Sequence, residues 1–304
     1  MRLIPTSYKT ALFAGLFFLA NNTQANSIAC FNTNMGQFCI ELFETQTPIT
    51  TANFFDYIKS AAYTNGIFHR SMPKFVIQGG GFKIVEGTDG KKLSPVNTFT
   101  PIANEFKLSN TRGTVAMAKL SGNPNSATSQ WFVNLADNSL NLDNQNGGFT
   151  VFGRVIFDGM KVIDVIGKLP IANLGGSLTA TPTIGTSGSS ISTDNLVQIT
   201  QVEVIDTTGV FSESALTFAV DIGTGEALAV KLLLIEDKPA YVFKLDPASV
   251  ASLPSNPVNI ATFSSGNGQL HIPSVMINAS TVVKNVKMQL TDANSFKFTL
   301  LSYE

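Results

Sequence analysis

The sequence predicts a mainly β protein: a closed barrel with its ends covered by two helices, then a small all-β sandwich or barrel. Three observations carry that prediction. Short apolar or alternating runs recur between clusters of Gly, Asn, Ser and Pro, only two stretches repeat apolar residues at helical spacing, and the composition shifts to Gly, Ser and Thr across residues 171–195. At 304 residues, 44% of them hydrophobic, the chain can bury two cores.

The elements follow in order. Arg2 and Lys9, an apolar run over 11–20 and a polar stretch ending in Thr-Gln-Ala at 23–25 have the layout of a secretory signal peptide cleaved after Ala25. The alternative is a membrane anchor, but the run is about half of the roughly 20 residues that a bilayer requires. No later stretch is long and apolar enough to cross, so no integral membrane segment is expected after cleavage. The expected location is exported, either periplasmic or secreted. Runs at 28–32 and 38–42 flank a turn at 33–36, and the hairpin sets Cys30 across from Cys39. In an oxidising compartment the two are a disulfide candidate; two buried thiols acting as small apolar residues are the alternative.

Thr47 and Pro48 open a helix with Ala52, Phe55, Ile58 and Ala62 on one face. Strands are expected at 75–78, 114–118, 131–135 and 150–155, antiparallel because no helical crossover separates them. Asp158 starts the second helix, with Met160, Ile163 and Ile166 on a shared face. Residues 171–195 read as an exposed mobile connection, and a strand at 196–205 returns to the first domain, which spans 26–208. In the second domain, 209–304, strands are expected at 215–220, 229–235, 241–245, 258–263, 282–290 and 296–301, with a helical turn near 248–253. That domain has no arginine, no cysteine and one histidine, and no constellation with chemistry in it.

Composition narrows the function. Lys+Arg of 20 against Asp+Glu of 21 provides no basic patch for phosphates, so nucleic acid is not an expected partner. Two cysteines and two histidines far apart in sequence cannot make a zinc cluster, and no metal or other cofactor is expected. The informative stretch is 68–81, Phe-His-Arg-Ser-Met-Pro-Lys-Phe-Val-Ile-Gln-Gly-Gly-Gly. It can set the Arg70 guanidinium beside an aromatic wall and an amide, with the glycines ending the strand and allowing close backbone approach. Taken alone, an arginine among apolar residues is more often a surface ion pair.

Further motifs change that balance: Asn-Thr-Arg-Gly-Thr-Val-Ala-Met-Ala at 110–118, Ser-Ala-Thr-Ser-Gln-Trp-Phe at 126–132, Leu-Asp at 142–143 and Val-Phe-Gly-Arg-Val at 151–155. With Phe-His-Arg and Gln-Gly-Gly, they make residues 28–205 resemble the cyclophilin-type peptidyl-prolyl isomerases, most closely the exported bacterial ones. The resemblance implies an eight-stranded antiparallel barrel capped by two helices, and isomerisation of X-Pro bonds in proline-containing polypeptides without a cofactor. It implies that Arg70 donates to the prolyl nitrogen or stabilises the twisted carbonyl, lowering a resonance barrier of about 18–20 kcal/mol. Gln78 would hold Arg70 and the substrate carbonyl. Phe75, Val76, Phe132 and Leu142 would form the proline pocket with Phe149 at its rim. Ala118 and Lys119 would offer backbone to the peptide, and Gln130 would line the adjoining groove. His69 borders the same groove, but no proton is transferred, so it is read as a hydrogen-bonded structural histidine. Asn141 stands about where many eukaryotic members carry a tryptophan that contacts cyclosporin, and weak inhibition by that drug is expected. The competing reading is a proline-peptide binding or chaperone module, with the second domain as an adhesive or docking device for a cell-surface partner.

Overall fold

The computed structural model describes residues 27–185, 191–223, 227–253 and 260–304, so the expected signal peptide lies outside the described residues. Hairpin strands β1 (Ile28–Thr33) and β2 (Gly36–Leu42) pair with Cys30 opposite Cys39, and a disulfide joins the two. Helix α1 (Pro48–Lys59) follows. Next come β3 (Gly66–Ile67), β4 (Arg70–Met72), β5 (Val76–Gly79), β6 (Phe82–Gly87), β7 (Gly90–Pro95), β8 (Thr114–Met117) and β9 (Trp131–Asn134). A single turn α2 (Ser139–Leu142), β10 (Val151–Ile156), α3 (Gly159–Ile166), β11 (Ile171–Ala172), β12 (Thr181–Pro182) and β13 (Gln198–Ile205) complete the first unit, Ser27–Ile205.

The sheet runs β4-β5-β9-β8-β10-β2-β1-β13-β3. Strands β3 and β4 are two halves of one extended run, 66–72, so taking them as one strand closes a ring of eight, every pair antiparallel. Its interior is packed with rings: Trp131, Tyr57, Tyr63, Phe31, Phe38, Phe54, Phe68 and Phe152 are all fully buried. Gly79 and Gly80 let the β5 end lie against the indole. A Cβ on Gly80, whose φ is +78°, would also sit 2.3 Å from the Ser129 carbonyl.

Several expectations are corrected. Helix α1 buries Phe54 and Tyr57 as well as part of the expected face: Phe55 and Ile58 are half-buried against the core and Ala62 is buried, whereas Ala52 is exposed. The apolar periodicity misleads because Thr50, Thr51 and Asn53 are also buried, bonded to Glu105, to the Thr47 carbonyl and to the Thr128 carbonyl. The hairpin β6–β7 and the turn α2 carry no strong periodic signal and were not expected. The described residues of the 171–195 connection, 171–185 and 191–195, are built into the fold. β11 pairs with β12, Thr181 and Thr183 are buried, and the Ser71 amide donates to the Ala180 carbonyl at 2.7 Å. Thr207 and Thr208 bond Ser274, and the second compact unit runs from Asp206 to Glu304.

The second unit contains β14 (Gly209–Ser212), β15 (Ala215–Asp221), β16 (Ala227–Glu236), β17 (Val242–Leu245), β18 (Ala251–Ser252), β19 (Ala261–Ser264), β20 (Gln269–Asn278), β21 (Thr281–Asp292) and β22 (Lys297–Ser302). The ring β15-β19-β20-β21-β22-β17-β16 returns to β15, so of the two expected architectures the domain adopts the barrel, with seven strands. β20 was not expected because Pro273 interrupts an otherwise alternating run, and Pro is disfavoured inside a ladder. The expected helical turn is a 3-10 turn at Pro247–Ser249 followed at once by β18. Two apolar cavities, of about 80 and about 280 Å3, lie among the Phe, Leu and Val side chains, the larger opening to the surface beside Tyr241, Ile277 and Tyr303.

Candidate active site

Arg70 on β4 lies opposite Gln78 on β5, Gln78 opposite Phe132 on β9, Phe132 opposite Ala116 on β8, and Ala116 opposite Val151 on β10. Paired residues in an antiparallel ladder project to one face, so these five side chains form a transverse row. Alternation along β9 sends Trp131 and Val133 into the aromatic core and turns Phe132 and Asn134 to the opposite face. On that face Val76, Ala116, Phe132, Leu142 and Val151 bury together, with Phe75, Phe149 and Ala118 packed at the edge. The Phe132 and Phe149 rings meet nearly edge to face at 5.8 Å, giving the apolar pocket an aromatic wall.

The polar end of the row is a chain of donors. Arg70 Nη1 donates to Gln78 Oε1 at 3.5 Å, and Gln78 Nε2 donates to Gln130 Oε1 at 2.7 Å. Arg154 pairs with Glu41 and Arg112 with Asp164, both at 2.7 Å, whereas among the described residues no carboxylate pairs with Arg70. Partial burial lowers its pKa, yet a guanidinium stays protonated near neutral pH. The result is a half-desolvated cation with donors to spare, facing a polar cavity of about 390 Å3 that His69, Gln78, Ser129, Gln130 and Thr98 also line.

His69 is 3% exposed and lies edge-on to Phe82, against the backbone of Gly81. Burial drives its pKa down to about 4; bonds to Gln130 and the Ile67 backbone oppose the shift, and the Arg70 charge adds to it. The imidazole is therefore neutral at physiological pH and cannot serve there as an acid. The Ala118 amide is not a free donor, because it donates to the Gln130 carbonyl at 2.9 Å. The Lys119 side chain braces the pocket rim: Nζ donates to the Asn146 and Gly148 carbonyls at 2.8 and 2.6 Å and sits 4.8 Å from the Phe149 ring centroid. Asn141 is exposed on α2 and accepts a bond from Gln145. Sequence reasoning missed the polar support beneath the pocket, Asn110, Asn134 and Asn138. The available signal was that Asn134 follows Phe132 by two residues on one strand and so shares its face.

Among the described residues no group of His, Cys, Asp or Glu could hold a metal, and no helix is long and apolar enough to cross a membrane. The site is suited to chemistry without bond breakage. An apolar pocket can hold one ring while an adjacent cation and amide engage the polar atoms of the same backbone, which weakens amide resonance.

An antiparallel barrel with such a pocket on its outer face is the arrangement that the resemblance to the cyclophilin-type isomerases implies. The sequence profile of the family described as "Cyclophilin type peptidyl-prolyl cis-trans isomerase/CLD" matches residues 28–189, more than half of the chain, and the chain belongs to this family. It is accordingly a peptidyl-prolyl cis-trans isomerase. The chain is 43% identical over 170 residues to the "Peptidyl-prolyl cis-trans isomerase" of Acinetobacter baylyi, covering 55% of this chain and 86% of that protein. It is 44% identical over 142 residues to "Peptidyl-prolyl cis-trans isomerase B" of Escherichia coli, covering 45% and 81%. A crystal structure of a Cryptosporidium parvum cyclophilin type isomerase, determined in the presence of the dipeptide Ala-Pro, aligns with a TM-score of 0.43 at 24% identity, over 59% of this chain and 98% of that one.

Proposed function

We propose that the protein isomerises X-Pro bonds in exported or unfolded polypeptides and so assists their folding, with Arg70 as the group that acts on the amide. The carrying observation is the unpaired, half-buried guanidinium, bonded to Gln78 and set one strand from the apolar pocket. In this reading Phe75, Val76, Phe132, Leu142 and Phe149 receive the proline ring, and Gln78 and Gln130 hold the backbone on its polar side. The location outside the cytoplasm is supported by the layout of residues 1–25 and by the Cys30–Cys39 disulfide, a bond that persists in oxidising compartments.

A proline-tetrapeptide assay on the full chain tests the reading. Arg70→Ala is expected to lower kcat/KM by about a hundredfold to a thousandfold while peptide affinity changes by less than about threefold. Turnover that survives this substitution would remove Arg70 from the mechanism. A wild-type protein that binds the peptide without accelerating isomerisation would instead make the barrel a binding module.

A further inference from the structure

The geometry points to Asn134 as a positioning residue that sets the width of the prolyl pocket, acting through a line of buried side-chain amides joining one aromatic wall to the other. The inference rests on Phe75, Phe132 and Phe149 being the pocket, as proposed above.

Phe75 and Phe149 stand just before β5 and β10, two strands that β9 and β8 separate in the sheet, so no ladder bond fixes one against the other. Backbone bonds tie the two segments through α2, from the Leu142 amide to the Asn138 carbonyl at 2.8 Å and from the Phe149 amide to the Leu142 carbonyl at 3.0 Å, and a side-chain relay braces them directly. Asn138 Nδ2 donates to the Phe75 carbonyl at 2.9 Å and to Asn134 Oδ1 at 2.8 Å. Asn134 Nδ2 donates to Asn110 Oδ1 at 3.2 Å and to Thr114 Oγ1 at 2.9 Å. Asn110 Nδ2 donates to the Phe149 carbonyl at 3.0 Å and to Asp143 Oδ1 at 2.9 Å.

The relay has a fixed direction. All three asparagines use both amide hydrogens, and the line ends on a carboxylate, which can only accept. Turning any one amide over would set acceptor against acceptor inside the protein, and for Asn110 and Asn134 donor against donor as well. Asn110 and Asn134 are 0% exposed and Asn138 is 8% exposed, so water cannot readily replace a lost partner. Because it reaches the carbonyls of both Phe75 and Phe149, the relay adds to the backbone bonds in holding the distance between those residues. Asn134, the central link, lies directly after the Phe132 strand position on the same face. A pocket held this way needs no adjustment when a proline ring arrives, so loss of the relay should weaken substrate binding more than the chemical step.

The test compares KM and kcat for a chromogenic tetrapeptide with one X-Pro bond, using the full chain. Asn134→Leu is expected to raise KM about tenfold and change kcat by less than about threefold. Val133→Ala, one residue earlier on the core face, is a stability control expected to keep KM within about twofold of wild type. Should Asn134→Leu fail to fold, Asn138→Ala removes the less buried end, and its KM increase should not multiply with that of Asn110→Ala in the double variant, because either change breaks the same line. An unchanged KM in Asn138→Ala and Asn134→Leu, an equal rise in Val133→Ala, or multiplying effects in the double variant would each overturn the relay. Arg70→Ala separates the two levels: full activity there rejects the site, whereas loss of activity there with unchanged KM in the asparagine variants rejects the relay alone.

Discussion

The two barrels of this chain close a sheet around very different interiors. The eight-stranded ring of Ser27–Ile205 is filled by one tryptophan, two tyrosines and a group of phenylalanines, several with ring centroids 5 to 6 Å apart, such as Phe31 and Trp131 at 5.2 Å. The seven-stranded ring of 206–304 is lined mostly by Val and Leu with fewer rings, and leaves cavities of about 80 and about 280 Å3. A filled interior gives the first barrel a rigid wall, and its chemistry sits on the outer face of that wall. Every arginine after residue 25, the disulfide and the asparagine relay belong to this barrel. Rigid support behind a pocket is what a site that works by positioning requires, and the second barrel carries no comparable polar constellation among its described residues.

The largest effect that would sharpen this contrast is a pair of equal truncations. Leu42 packs in the aromatic core, near the backbone of Gly153, whereas Leu216 lines the larger cavity of the second barrel. Leu42→Ala should cost about 4–5 kcal/mol and Leu216→Ala about 2–3 kcal/mol, because fewer packing contacts exist to be lost beside an existing cavity. Trp131 is the single tryptophan of the sequence, so its fluorescence follows the first barrel alone, while circular dichroism follows both. Equal costs in denaturant titrations would mean that the two interiors are equally well packed.

A smaller difference concerns pH. The folded pKa of His69, about 4, lies below its ordinary value of 6.5, so between these values the unfolded chain binds the extra proton. Stability of the first barrel should therefore rise with pH from about 4 to 6.5, by up to about 3 kcal/mol, and level off above. His69→Gln should flatten that slope. Turnover should stay level between about pH 6 and 8, since His69 is neutral and Arg70 charged throughout. A slope that survives His69→Gln would place the titrating group elsewhere.

The smallest expected effect is that of the disulfide. Its cysteines are nine residues apart, and a short closed loop restricts the unfolded chain only modestly. Replacing Cys30 and Cys39 by Ala should cost the first barrel about 2 kcal/mol in urea titrations and leave the second barrel, which has no cysteine, unchanged. A shift in both would show that the barrels unfold as one.

What the sequence determined by itself was local or motif-borne. The β1–β2 hairpin and its paired cysteines lie within a few residues of one another, alternation marked β8, β9 and β15, and the motifs around Arg70, Met117, Phe132 and Phe152 identified the family. Only the tertiary structure decided the rest. Ring closure depends on β1 meeting β13 from the far end of the unit, and on β15 meeting β19 in parallel; neither pairing leaves a local signal. The buried face of α1 is wider than its apolar spacing shows, because Thr50, Thr51 and Asn53 look polar until their partners at Glu105 and Thr128 are in place. The same holds for Asn110, Asn134 and Asn138, whose amide side chains carry no sign of burial in the sequence. Burying an amide is favourable only when its partners arrive, and here the partners come from separate segments of the chain, so the fold alone could reveal that these residues are interior.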